Sequence, residues 1–392
     1  MKILVISHSL IERAPRARWR RMAAANPDFH IRLLIPKRWI SVGFGNEVVL
    51  EGKEESEGNF EVRTVSLTSE RNCSTYFVHR LRRELLDFNP DIIFPVHESY
   101  QLLQSIIWRK LFAPRARLPF FTMDVHPRTA RLALSFNPKK MLLNILNWSS
   151  WWLVRHGTDA AMCHYPGIEQ QIRQDGYRQP VLIKTQIGVD EDVFLPETAE
   201  RKAVRTQLGL DGFVVGFVGR VTVDKGILDI ASAMSRLPKD VRLMVVGDGP
   251  DRTQVEEMAT RAGWRDRLHL IGYVPFQDVA RFTRAMDCLV AGSRTTETWT
   301  DTFPLVVAQA MATGIPVVGS DSGAIPFQLG GQGLVFDEGD ADAIAAHILS
   351  LRNDPALCKR MGQALLNRAR EEFCIGGINP KLVEFFRRCL KA

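Results

Sequence analysis

The chain has 392 residues, too many for one ordinary hydrophobic core and enough for two domains of roughly 150–200 residues. Its 45% hydrophobic and 24% charged residues exclude wholesale disorder. No apolar run reaches the ~18 residues of a membrane span, and the run of four at the start is too short for a secretory signal core. The net charge of +7 is uneven. Residues 1–190 hold 27 Lys+Arg against 18 Asp+Glu, net +9, and the remainder holds 24 against 26, net −2. A cytoplasmic protein is expected, whose basic first half can meet an anionic membrane surface on the inner face. The six scattered cysteines form no C-x-x-C pair and read as reduced thiols.

In chain order, 3–6 reads as a buried strand, 12–25 as an Arg- and Ala-rich helix, 31–35 and 62–67 as strands, and 75–88 as a helix. The acidic stretch 47–61 reads as an exposed loop or strand pair. A strand at 91–95 precedes a helix from about 99 to 112. Strands at 120–123, 159–162 and 181–184 alternate with helices at 139–156 and up to 176. Trp148, Trp151 and Trp152 lie at helical spacing and read as core rather than membrane contact. After a connector the alternation restarts: strands at 214–218, 242–246, 269–271, 288–291, 316–319 and 333–336, with helices at 226–236, 251–262, 277–285, 304–313, 340–352 and 355–372. Such alternation predicts parallel sheets covered by helices on both faces. The expected domains are 1–188, a linker 189–212, 213–372, and a final segment 373–392 crossing back to the first domain on Leu382, Phe385, Phe386 and Leu390.

Two stretches can carry chemistry. In Gly219-Arg220-Val221-Thr222-Val223-Asp224-Lys225-Gly226, directly after a strand, Gly219 lets the chain turn and two cations five residues apart can straddle a diphosphate. In Asp301-Thr302-Phe303-Pro304-Leu305, Asp301 is placed to cap a helix with Pro304 in its first turn, and free N–H groups there suit an anion. Gln309 lies eight residues on, about two helical turns, so it and Asp301 can face one ligand. Gly247-Asp248-Gly249-Pro250 reads as a strand-to-helix turn. Taken singly, each stretch also has an ordinary structural reading.

The order of these stretches over 180–372, with Gln186-Ile187-Gly188-Val189-Asp190 before them and Ala310-Met311-Ala312-Thr313-Gly314-Ile315-Pro316 after Gln309, resembles the donor domain of family 4 glycosyltransferases. The resemblance implies a GT-B fold, two Rossmann-like α/β domains facing across a cleft. It also implies retaining transfer of a sugar from a nucleotide-diphosphate sugar to a glycan or lipid-linked acceptor, as in cell-surface polysaccharide synthesis. By similarity, Arg220 and Lys225 neutralise the diphosphate, with the backbone of Thr302, Phe303 and Leu305. Asp301 contacts the donor sugar, Gln309 the ribose, and Gly272, Tyr273 and Val274 the base. The chain departs from the family at Asp301 and Gln309, where two glutamates are usual, at Pro304 for glycine, and at Phe327. In the first half, Asp124 and His126 follow a strand where members place a His near the sugar. Ser9 or His8, His97 and Glu98 are candidate acceptor contacts. No convincing D-x-D metal site is present, so metal independence is expected, with no cofactor and no nucleic-acid partner. The departures keep open a non-catalytic nucleotide-sugar-binding subunit, and a sugar-nucleotide epimerase shares the fold.

Overall fold

The computed structural model describes every residue except 44–45, 73–74, 98–99, 124–136, 298 and 392. The chain divides into two compact units. The first holds Met1–Gly188 together with Ile378–Ala392, and the second holds Val189–Gly377.

The first unit runs β1 (Lys2–Ile6), α1 (Ala17–Ala25), β2 (His30–Pro36), β3 (Arg38–Gly43), β4 (Asn46–Glu51), β5 (Glu55–Glu57), β6 (Phe60–Val65), α2 (Leu81–Phe88), β7 (Ile92–Pro95), α3 (Tyr100–Phe112), β8 (Pro119–Thr122), α4 (Pro138–Gly157), β9 (Ala160–Cys163), α5 (Pro166–Gln174) and β10 (Val181–Ile183). The second runs α6 (Thr198–Leu208), β11 (Phe213–Val218), α7 (Ile227–Met234), β12 (Val241–Val246), α8 (Arg252–Arg261), β13 (Leu268–Gly272), α9 (Val279–Ala285), β14 (Cys288–Ala291), α10 (Leu305–Ala312), β15 (Val317–Ser320), α11 (Ile325–Leu329), β16 (Leu334–Phe336), α12 (Ala341–Asn353) and α13 (Pro355–Glu372). The last helix, α14 (Ile375–Lys391), begins in the second unit and ends in the first.

In the first unit the sheet order is β5-β6-β2-β1-β7, continued through an isolated Ile92–Arg117 bridge to β8-β9-β10. Within these strands only β5 is antiparallel to its neighbour, and β3 and β4 form a separate antiparallel pair. Successive side chains of a strand point to opposite faces, and the two cores follow that rule. Ile3 and Val5 of β1 join a core with α1 and α14, whereas Leu4 and Ile6 join one with α2, α3, α4 and α5. Strands buried on both faces must be apolar throughout, which is why these segments are continuous runs rather than alternating ones. The second unit is an all-parallel sheet of order β13-β12-β11-β14-β15-β16.

Several expectations need correcting. The helix expected over 75–88 starts only at Leu81, after Arg80 at φ 61; Tyr76 and Phe77 precede it. The helix over 12–25 starts at Ala17, after two 3-10 turns. The segment 189–212 does not stand apart as a linker. It contains α6, and Val189, Phe194, Val204 and Leu210 are built into the second core. Leu382, Phe385 and Phe386 of α14 do pack in the first unit, but Leu390 is exposed. Of the tryptophans of α4, Trp151 is buried, Trp148 half-buried and Trp152 exposed, so the core reading holds for Trp151.

Candidate functional site

In the second sheet the strand order reverses beside β11, which has β12 on one side and β14 on the other. Ligands of open α/β sheets bind beyond the carboxyl ends of the strands at such a switch point. The loops after β11 and β14 meet there at the closest possible spacing. A Cβ on Gly226, at φ 70, would lie 1.9 Å from the Gly292 carbonyl oxygen, so only glycine fits. That approach delivers Lys225 from one loop to Ser293 and Asp301 on the other.

Lys225 Nζ donates to Asp301 Oδ2 at 2.6 Å, and Ser293 Oγ donates to the same oxygen at 2.8 Å. The ammonium also lies 4.4 Å from the centre of the Trp299 ring, a cation–π contact. Asp301 is therefore not the helix cap that the sequence implied. Helix α10 begins at Leu305 with Pro304 as the preceding residue and no side-chain cap. The Val307 N–H bonds to the Pro304 carbonyl at 3.0 Å, so the leading N–H groups of the helix are those of Leu305 and Val306. About one turn in, Gln309 is 3% exposed, and its Nε2 has no hydrogen-bond partner among the described residues. A buried amide left in that state is costly in an apolar core, and it identifies a donor waiting for an acceptor.

Arg220 stands apart from this cluster. Its side chain is 54% exposed and its guanidinium lies 3.7 Å from Asp224. Thr302, Phe303 and Leu305 are half-buried at the start of α10, with the Phe303 ring packed on Phe373. Gly272 closes β13 at φ 83 and hydrogen-bonds through its carbonyl to Gly247 N; Tyr273 is exposed and Val274 packs on the core. Phe327, the other departure, packs on the same core, its ring 5.8 Å from the Arg368 guanidinium.

The first unit has its own cluster at the carboxyl ends of its strands. His8 follows β1, His97 follows β7, and His164 follows β9. The His8 ring lies 4.5 Å from both the His97 and Trp39 rings and 5.8 Å from Tyr76, while His164 packs edge-on to Phe121 at 4.7 Å. Burial lowers all three imidazoles, to about 3 at His8, about 4 at His97 and about 3 at His164, with His97 lowering its two neighbours further. They are neutral hydrogen-bonding groups at ordinary pH. Ser9 Oγ is 2.8 Å from Ser7 Oγ, next to His8. Asp124, His126 and Glu98 lie outside the described residues. The sequence analysis missed His164, Ser293 and Trp299. The position of His164 after a strand end, repeating that of His8 and His97, was the available signal. No sequence pattern pointed to Trp299.

Residues 199–368 match the family described as glycosyl transferases group 1. This stretch is a glycosyltransferase group 1 domain. It contains Lys225, Asp301 and Gln309, and so the whole switch-point cluster. The chain is 26% identical over 290 residues to the O-antigen chain mannosyltransferase B of Escherichia coli, covering 71% of this chain and 64% of that protein. It is also 26% identical over 251 residues to the lipopolysaccharide core biosynthesis glycosyltransferase LpsE of Rhizobium meliloti, covering 64% and 70%. The chain thus spans just under two thirds of the length of the Escherichia coli relative. Among solved structures, HepE of Anabaena, crystallised with UDP and glucose, superposes with a TM-score of 0.68 at 18% identity over 99% of both chains. The sucrose-phosphate synthase of Thermosynechococcus elongatus gives 0.70 at 18% identity over 100% and 99%. The group 1 domain therefore sits in a chain with the GT-B fold along its full length.

Proposed function

We propose that this protein is a retaining, family 4 glycosyltransferase that moves a sugar from a nucleotide-diphosphate sugar to a glycan or lipid-linked acceptor in cell-surface polysaccharide synthesis, without a metal ion. The observation that carries the reading is the convergence of Lys225, Asp301, the start of α10 and the orphaned Gln309 amide at the sheet's switch point. A nucleoside diphosphate is the ligand this set fits. Lys225 and the first-turn N–H groups supply positive potential for the pyrophosphate, and Gln309 supplies a donor for a ribose hydroxyl. Charge develops on the departing diphosphate as the glycosidic C–O bond breaks, and a cation already fixed in place stabilises it without reorganisation.

The lysine is held by Asp301 before any ligand arrives, so its position is set in advance. Arg220, more exposed, completes the pair by swinging onto the diphosphate. In the first unit the neutral imidazoles of His8 and His97, with Ser9, suit an uncharged acceptor hydroxyl rather than an anion. The UDP and glucose in the HepE structure and the O-antigen and core-biosynthesis roles in the names of two relatives support the donor class and the setting.

A thermal-shift screen with UDP, GDP, ADP and dTDP sugars tests the proposal. The matching ligand, at a hundred times its dissociation constant, should add about 2.7 kcal/mol of stability. Arg220→Ala combined with Lys225→Ala should remove the shift, and its persistence would place the diphosphate elsewhere. Release of nucleoside diphosphate only when an acceptor glycan is added separates a transferase from a binding subunit and from an epimerase.

A further inference from the structure

Large apolar side chains are exposed mainly in one region of the chain. Of the seventeen such residues in the described structure, ten fall between Phe77 and Trp152. Helices α2, α3 and α4 pack side by side, α2 on α3 and α3 on α4, on one face of the first unit. Their inward residues, such as Leu85, Ile106 and Trp151, are core. Their outward residues are not what a solvated face carries. On α3, Ile107 and Leu111 are exposed with Lys110 between them. On α4, Leu142, Ile145, Leu146 and Trp152 are exposed along one stripe that begins at the exposed Lys139. Spacings of three, four and seven keep each set on a single helical face.

The charge pattern says what covers this face. Neither α3 nor α4 contains a single Asp or Glu, although together they span 33 residues and include five Lys and Arg. The described residues between them add the exposed Arg115, whereas Arg117 and Arg109 of α3 are paired with Asp159. The acids of the neighbouring α2, Glu84 and Asp87, both pair with Arg32, although Asp87 stays exposed, and its Arg82 and Arg83 are exposed. Arg82 lies over the Phe112 ring at 5.0 Å and links α2 to α3. An ordinary soluble surface intersperses both signs and keeps large apolar side chains apart. A face of leucine, isoleucine and tryptophan on two helices that carry cations and no acid is the composition that enters a bilayer interface and meets anionic headgroups. No helix among the described residues is long and apolar enough to cross a membrane.

We infer that the outward face of α3 and α4 docks on an anionic lipid bilayer, with Leu142, Leu146 and Trp152 entering the interface and Lys110 and Lys139 meeting the headgroups. The inference goes beyond the glycosyl-transfer reading and does not require it. The nucleotide thermal shift reports on that reading separately.

The test is co-sedimentation of the full chain with vesicles of phosphatidylcholine alone or with one part phosphatidylglycerol to three of phosphatidylcholine. The chain should pellet with the anionic vesicles, far less with the neutral ones, and less as salt is raised. Leu142→Gln with Leu146→Gln, and separately Lys110→Glu with Lys139→Glu, should each lower the bound fraction by about tenfold. Both variants should keep the melting temperature and the nucleotide response of the parent chain. Equal pelleting of parent and variants, or no pelleting on anionic vesicles, would overturn the inference. So would a dimer in light scattering that the Leu142→Gln, Leu146→Gln chain no longer forms, because the face would then belong to a second copy.

Discussion

Asp301 ties the loops after β11 and β14 together. The resemblance placed it against the donor sugar, and in the structure its Oδ2 is occupied by Lys225 and Ser293. If the ammonium is shared between Asp301 and an incoming diphosphate, the two substitutions at this pair act in opposite directions. Lys225→Ala should weaken nucleoside-diphosphate binding by about 10- to 100-fold, the scale of a lost charge-assisted hydrogen bond. Asp301→Asn frees the ammonium and should tighten it severalfold; calorimetric titration of both variants measures the pair. Gln309 offers a second test. Gln309→Met keeps the volume and removes the orphaned amide, so stability should hold or rise slightly while nucleotide affinity falls about tenfold. An unchanged affinity would mean that the amide does not face the ribose. The stretches that hold Lys225, Asp301 and Gln309 were legible from the sequence because their order resembles the family pattern. Trp299 was not, since a cation–π contact between two loops depends on where the folded backbone brings them, and spacing along the chain carries no trace of that.

At the level of elements, the glycine pair at the crossing of the β11 and β14 loops governs the site. Gly226 and Gly209 share nearly the same backbone, φ 70 and φ 62, but differ in surroundings. A Cβ at Gly209 meets nothing within 4 Å, whereas at Gly226 it strikes the Gly292 carbonyl. Gly209→Ala should cost about 1 kcal/mol, the price of a left-handed conformation alone. Gly226→Ala should cost about 2–4 kcal/mol and abolish nucleotide binding, because the two loops must part. Urea unfolding of the two variants separates strain from clash. Most strands and helices were readable, since fully buried strands are unbroken apolar runs and the helices between them keep a 3.6-residue period. The 75–88 helix failed at its start for a physical reason. Tyr76 and Phe77 have helical spacing, but Arg80 in the left-handed region breaks the chain direction before α2. The segment 189–212 was misread as a connector because its charges and glycines outweighed four apolar residues that only the folded core reveals as one cluster.

For the molecule as a whole, the three imidazoles of the first unit set its response to acid. Each is held neutral in the folded chain, at about 3 to 4, against an ordinary value of 6.5. The unfolded chain takes up these protons near pH 6.5 and the folded chain does not, so stability is full above that pH and is lost as pH falls through it. Each histidine contributes a slope of about 1.4 kcal/mol per pH unit. Carboxyls held low, such as Glu54 by hydrogen bonds from Thr64, add their loss only below about pH 4.5. Urea midpoints should therefore drop between pH 6.5 and 4.5, less so in His164→Phe, and a flat profile would mean that water reaches the rings. The first unit is made from segments on both sides of the second, with Leu382 and Phe386 closing the core that Trp19 and Phe94 begin. On the ribosome, the domain synthesised first must wait with an open apolar flank while the whole of its successor emerges and folds. The second unit can thus fold before the first is complete, and holdase chaperones should engage the waiting flank until α14 leaves the exit tunnel.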